Sequence, residues 1–232
     1  HDARRAEEEL EALQGLRRGY VRIASVEGLT VDLLPSVIAR SRAAHPLVNL
    51  EVVTAGSRDV AETVLNGDCE IGVAFQLPYR GDLRQIAVGR FGLSAVMAPD
   101  HPLATRDKLK LRDCAEFPWY LAAEPLSIRD QLAPALLRLN RPAPAVVESS
   151  SVELLKRLAI RGDGICFQTY LGLEEEVANG RLVHIPLSDP DIPQSELGVY
   201  IQSGRAVSTA EAMLLEILTA EVTARATAEE NK

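Results

Sequence analysis

Apolar and polar positions along the chain switch repeatedly between a period of two and a helical period, and the switching predicts strands alternating with helices. Tyr20-Val21-Arg22-Ile23-Ala24 alternates as a strand, and residues 31–44 read as a helix whose first turn must begin close to Pro35. Residues 50–53 form a strand, and 58–66 a helix opened by Ser57 and closed by Asn66-Gly67. The run Ile71-Gly72-Val73-Ala74-Phe75 is apolar without alternation, which marks a central parallel strand covered on both faces. This βαβαβ order, with right-handed crossovers, predicts helices on both sides of a mostly parallel sheet.

A similar unit follows. Residues 91–98 give an apolar strand, and Pro99-Asp100-His101-Pro102 breaks the chain. Trp119-Tyr120-Leu121-Ala122 and 145–148 are strands, with helices at 128–139 and 151–161. Gly162-Asp163-Gly164 turns into the strand 165–167, and a helix over 171–179 closes at Asn179-Gly180. A proline-rich polar stretch near 186–193 precedes a strand at 197–201 and a final helix over 209–226, opened by the capping box Ser208-x-x-Glu211. The pattern is two α/β lobes with breaks near 99–103 and 187–195. A gap between such lobes is a common seat for a small ligand. Residues 3–18 read as a charged helix with Ala6, Leu10 and Leu13 on one stripe, either a short heptad seam or a solvated terminal helix.

Charge and chemistry narrow this. With 33 acidic and 25 basic residues the formal net charge is −8, which makes the chain itself a poor binder of nucleic-acid backbones. No apolar stretch reaches membrane-spanning length. The three cysteines, Cys69, Cys114 and Cys166, are widely spaced and fit a reducing cytoplasm better than a disulfide or zinc framework. The histidines stand singly, no nucleophile, P-loop or dinucleotide motif occurs, and no metal or cofactor is indicated, so the sequence does not read as an enzyme. The acidic run Glu174-Glu175-Glu176 reads as a solvated face. The informative device is a strand running into a short polar loop that opens a helix: 25–30, 54–57, 125–129 and 148–151. In open α/β sheets such loops gather at the carboxyl ends of the strands, and helix N-termini suit carboxylate or phosphate oxygens. Ser57, Ser127 and Ser150 also suit N-cap roles, with Ser127-x-x-Asp130 and Ser150-x-x-Glu153 matching the capping box.

The order Gly19-Tyr-Val-Arg-Ile-Ala, Leu33-Leu34-Pro35, Ala44-His45-Pro46 and Leu65-Asn66-Gly67-Asp68, continuing through Asp100-His101-Pro102-Leu103, Gly162-Asp163-Gly164-Ile165 and Gly180-Arg181-Leu182-Val183, resembles the regulatory domain of LysR-type transcriptional regulators over roughly residues 19–222. The resemblance implies two Rossmann-like lobes of periplasmic-binding-protein type II. Residues 1–18 would be the end of a linker helix, 19–99 with 197–226 the first lobe, 103–192 the second, and 227–232 a tail. It implies a small polar or carboxylate effector in the interlobe cleft, held by Ser25, Glu27, Gly28, Ser57, Ser127, Ile128, Arg129, Ser149, Gln168 and Thr169. Gly28 stands where relatives often carry a hydroxyl, and Thr169, preceded by Gln168, replaces a common proline. An effector pairing an acidic group with Arg129 and a cationic or hydroxyl group with Glu27 satisfies both charges, and a plain carboxylic acid is the alternative. The family further implies a homodimer or homotetramer, with Leu34, Val37 and Ile38 facing either a partner subunit or their own lobe. DNA contact would come from a winged helix-turn-helix outside this chain, which the missing initiator methionine suggests is a fragment. A periplasmic-type solute-binding protein shares the architecture and remains the competing class.

Overall fold

A computed structural model describes residues 19–124, 126–139 and 142–230. The helix expected over residues 3–18, with Ala6, Leu10 and Leu13, and Pro125 of the third loop lie outside the described residues.

In chain order the elements are β1 (Gly19–Ser25), a 3-10 turn (Glu27–Thr30), α1 (Leu33–Ala44), β2 (Val48–Thr54), α2 (Ser57–Leu65), β3 (Ile71–Phe75), β4 (Leu83–Phe91), β5 (Ser94–Met97), α3 (Leu111–Cys114) and β6 (Trp119–Ala122). They continue with α4 (Ser127–Leu136), β7 (Ala145–Ser149), α5 (Val152–Arg161), β8 (Ile165–Gln168), α6 (Glu174–Ala178), β9 (Val183–Pro186), β10 (Ser195–Gln202) and α7 (Thr209–Glu230). Two compact units result. Of the described residues, the first holds Gly19–Val26, Leu33–Gly89 and Leu197–Glu230, and the second holds Glu27–Asp32 and those within Arg90–Glu196.

In the first unit a five-stranded sheet has the order β2-β1-β3-β10-β4. β1 runs parallel to β2 and β3, with Ile23 opposite both Val52 and Ile71, while β10 is antiparallel to β3. Val60 and Val64 on α2 press so closely on β3 that a methyl group at Gly72 would stand 2.9 Å from Val64 Cγ2. α1 packs on α7, where Leu214, Leu215, Leu218 and Val222 recur at helical spacing and are buried. Leu34 and Val37 are fully buried within the single chain. Ile38 alone of the three proposed interface residues is partly exposed.

The second unit's sheet, β7-β6-β8-β5-β9, has parallel β6, β7 and β8 and antiparallel β5 and β9. One face packs Ala95, Met97, Trp119, Leu121, Ile165 and Phe167 against Leu132 and Ala135 of α4 and Leu111 and Cys114 of α3. Trp119 meets Phe167 edge-on at 4.9 Å and donates its indole N–H to Cys114 O at 2.8 Å, so its one polar atom is paired inside the core. The other face packs Val96, Tyr120, Ala122 and Cys166 beneath Leu155 and Ala159 of α5. Tyr120 explains Gly162-Asp163-Gly164: its ring fills the space where a Cβ at Gly164 would stand, 2.6 Å away. That turn accommodates a side chain, not a phosphate.

Several expectations need correcting. Both sheets are mixed rather than mostly parallel. The apolar run 91–98 is the end of β4 and the whole of β5, divided at Gly92-Leu93. β4 and β9 had no counterpart in the sequence reading, and α7 runs on to Glu230, through residues expected to form a tail. The helix expected at 171–179 is confined to Glu174–Ala178. Its acidic run is not a solvated face, because Glu176 is buried.

Candidate functional site

The candidate residues all sit at carboxyl ends of parallel strands, in the loops that follow them or in first helical turns, where open α/β sheets bind ligands. Ser25 and Ser57 lie in the first unit. Ser25 closes β1, is fully buried and turns its hydroxyl onto Val26 O at 3.2 Å. Ser57 is the first residue of α2 rather than its cap: Gly56 has the extended N-cap backbone, and no side chain caps the helix. The remaining candidates lie in the second unit.

There the structure joins Glu27 to the first turn of α5. Glu27 Oε1 accepts from Ser151 Oγ at 2.8 Å and Oε2 from the Val152 N–H at 2.7 Å, with the Glu153 N–H at 3.5 Å. Ser151, not Ser150, is the N-cap, accepting from the Leu154 N–H at 3.1 Å, and Ser149 Oγ accepts from the Ser151 N–H at 3.0 Å. Glu27 therefore acts as a helix-capping anion. Gly28 is pressed between Val152 and Gly172: a Cβ on Gly172 would stand 2.5 Å from Gly28 O, and Gly172 has φ +82°. Lys156 Nζ donates to Gly172 O at 3.0 Å and pairs with Glu153 at 2.7 Å and Glu176 at 3.2 Å, so a buried cation fixes the turn that backs Gly28.

The first turn of α4 is different. Its N-cap position is Leu126, no side chain caps it, and Ser127 is already helical. Arg129 stands in that turn with Nη1 3.8 Å from Glu148 Oε1, and this buried nitrogen has no hydrogen-bond partner among the described residues. Ile128 packs beside it against the core. Gln168 closes β8 and Thr169 follows it, both buried. Sequence reasoning missed Ser94: β5 runs antiparallel, so its first residue pairs with Gln168, the last of β8. Ser94 Oγ lies 3.5 Å from His184 Nδ1, and the His184 ring is 4.8 Å from that of Tyr170. Only the strand order reveals this neighbourhood.

Burial pushes the thiol of Cys69 up to about 11 and those of Cys114 and Cys166 up to about 12, so all three stay protonated and inert near neutral pH. Among the described residues no group of three or more His, Cys, Asp or Glu side chains is placed to hold a metal, and no helix is long and apolar enough to cross a membrane.

The LysR substrate binding domain family matches residues 14–223. The helix-turn-helix-type transcriptional regulator BbuR of Bordetella bronchiseptica is 35% identical over 159 residues, 68% of this chain and 47% of that protein. The chain spans about half to two thirds of the length of the curated relatives it matches. Among solved structures, the effector binding domain of QuiR in complex with shikimate superposes with TM-score 0.73 at 12% identity, covering 89% of this chain and 98% of that one. The cofactor-binding domain of the Cbl transcriptional regulator gives 0.74 at 21%, covering 92% and 93%. The regulatory domain of Synechocystis PCC6803 CcmR in complex with 2-PG gives 0.74 at 17%, covering 88% and 98%. These likenesses show the two-lobe periplasmic-binding-protein type II fold.

Proposed function

The chain belongs to the LysR substrate-binding-domain family, and on that footing we propose that it is the sensing module of a cytoplasmic transcriptional regulator, binding a small polar, acid-bearing effector and catalysing nothing. The observation that carries the effector class is the contrast between two helix ends in the second unit. The first turn of α5 is already filled by the Glu27 carboxylate. The first turn of α4 has no side-chain cap and carries Arg129, whose buried Nη1 has only a long ion pair. A desolvated guanidinium nitrogen at a helix N-terminus that no side chain caps favours a carboxylate or phosphate oxygen. That related folds were solved with shikimate and with 2-PG supports a small-molecule effector here. Ser127 and the Gln168–Thr169 strand end supply neutral hydrogen-bonding groups, with Ser25, Gly28, Ser57 and Ser149 as further proposed contacts. To act as a switch the effector must bind one arrangement of the protein better than another, since affinity shared equally by both shifts nothing.

The proposal is tested by a thermal-shift screen of small metabolites, pairing acids with neutral analogues, since a ligand that binds only the native state raises the melting temperature. A hit should be an acid. Arg129→Gln should weaken it roughly tenfold to a hundredfold, the worth of about 1.5–3 kcal/mol for a hydrogen bond to a charged group. Equal affinity in that variant overturns the assignment of Arg129.

DNA contact is proposed to reside outside this module, because the relatives are helix-turn-helix regulators and the net charge here is −8. Self-association is proposed to use the apolar surface left uncovered on the edge strands, Val52 and Val53 on β2 and Val146 on β7, with the partly exposed Ile38 of α1 as a further candidate. Light scattering of Val53→Glu and Val146→Glu should give a smaller particle than the parent chain. The parent mass in both variants overturns this surface. The regulator relatives, together with the three free thiols, favour this reading over a solute receptor.

A further inference from the structure

We infer that Glu27 determines ligand specificity by seating an internal carboxylate on the first turn of α5, which bars an anionic ligand group from that helix end. The inference rests on the effector-binding reading and deepens it: it says where in the second unit an acid cannot be received.

A helix begins with amide groups that have no partner inside the helix, and an anion is drawn to them and to the positive end of the helix dipole. At α5 that capacity is used up. Glu27 Oε2 takes the Val152 N–H and reaches toward that of Glu153, Oε1 takes the Ser151 hydroxyl, and Ser151 Oγ takes the Leu154 N–H. The Leu155 N–H is held by Ser151 O at 3.3 Å. A carboxylate or phosphate arriving there finds no vacant donor and meets a like charge.

Glu27 is also poorly placed to swing aside. Thr30 Oγ1 donates to Glu27 O at 2.7 Å, closing the 3-10 turn on itself. The next residue, Gly28, is backed by Gly172 at a distance that leaves no room for a Cβ. Gly172 is in turn held by Lys156 Nζ and donates its own N–H to Glu174 Oε2 at 2.6 Å. The turn is closed on itself and backed at Gly28, and in this ligand-free chain the carboxylate already sits on the first turn of α5. Fixed, charged groups of this kind discriminate by making the wrong partner costly rather than the right one tight.

The experiment uses the 232-residue chain with inorganic sulfate as the probe, at constant ionic strength set with chloride. Sulfate should raise the melting temperature of Glu27→Ala progressively and saturably, with an affinity at least roughly tenfold above that of the parent chain. The Val152 and Glu153 amide resonances should shift with sulfate in the variant and stay still in the parent. If Glu27→Ala does not fold, Glu27→Gln keeps the shape, removes the charge, and should show the same amide shifts at higher sulfate. Equal sulfate responses in parent and variant, or variant amides at 152 and 153 that do not move, overturn the role of Glu27. The outcome is independent of the effector screen: a failed screen sinks the sensor reading without touching the sulfate result, and the reverse holds too.

Discussion

Lys156→Met is expected to destabilise the second unit by roughly 3–5 kcal/mol, the cost of leaving a buried charge without its partner. Lys156 is almost fully buried and is the cation between Glu153 and Glu176, and Glu176 is itself buried with Oε2 unpaired. With the ammonium gone, Arg181, at 3.5 Å and half-exposed, is the cation left to Glu176. Trp119 is the chain's single tryptophan and lies in the core of this unit, so its fluorescence in urea reads the loss directly. The double variant Lys156→Met, Glu176→Leu should recover most of it, because removing both charges also removes the burial penalty. The deficit has a definite pH dependence. Burial opposes ionisation of Glu153, yet hydrogen bonds from Lys156 and Arg157 hold its carboxyl below the ordinary carboxylate value. A group held low stabilises the fold above its unfolded value and loses that contribution as pH falls through its folded one. The gap between parent and Lys156→Met should therefore be full at neutral pH and narrow as pH falls through the carboxylate range. A gap unchanged down to the acid transition refutes this account of the network.

Gly172→Ala is expected to cost about 3 kcal/mol or more, and Gly180→Ala only about 1 kcal/mol, although both glycines have positive φ. The backbone penalty common to both is about 1 kcal/mol or slightly above. Space separates them. A methyl group at Gly180 meets nothing within 4 Å, whereas at Gly172 it would lie 2.5 Å from Gly28 O, a backbone atom that cannot rotate away. Overpacking of that kind adds roughly 1–3 kcal/mol. Urea midpoints followed by Trp119 fluorescence compare the pair within one unit, and equal losses would show that the contact with Gly28 is soft. Because Gly172 backs Gly28, the alanine there should also weaken binding of an effector found by the screen, and Gly180→Ala should leave it unchanged.

The fold was largely legible because its main strands are short apolar runs bounded by turn residues. Trp119–Ala122 and Ile71–Phe75 lie where the pattern put them. β4 is less legible: the buried and exposed positions of Leu83-Arg84-Gln85-Ile86-Ala87-Val88-Gly89-Arg90-Phe91 largely alternate, but its polar residues give a weaker signal than the more apolar run beginning at Phe91. β9 is only four residues long and has no periodicity to show. Ser208 caps α7 as expected, accepting from the Glu211 N–H at 3.2 Å, whereas the caps expected at Ser57, Ser127 and Ser150 failed for a physical reason. A cap must adopt extended backbone one residue before the helix, and that position fell to Gly56, Leu126 and Ser151 rather than to Ser57, Ser127 and Ser150. The strand-end location of the candidate residues followed from topology and was readable. The capture of Glu27 by α5 was not, since its partners lie over 120 residues away in the chain and no local pattern encodes them. The same holds for Glu176, whose cation is Lys156, twenty positions earlier rather than four later.

The order β2-β1-β3-β10-β4 carries a consequence for how the chain is made. Among the described strands β4 neighbours β10 alone, and β10 is translated roughly a hundred residues later, on the order of 5–20 s at ordinary elongation rates. Until then a nascent β4 has no native strand to pair with, and the far edge of β3 is equally bare. Ribosome-bound chains stopped between these two strands are accordingly the species a chaperone would need to shield.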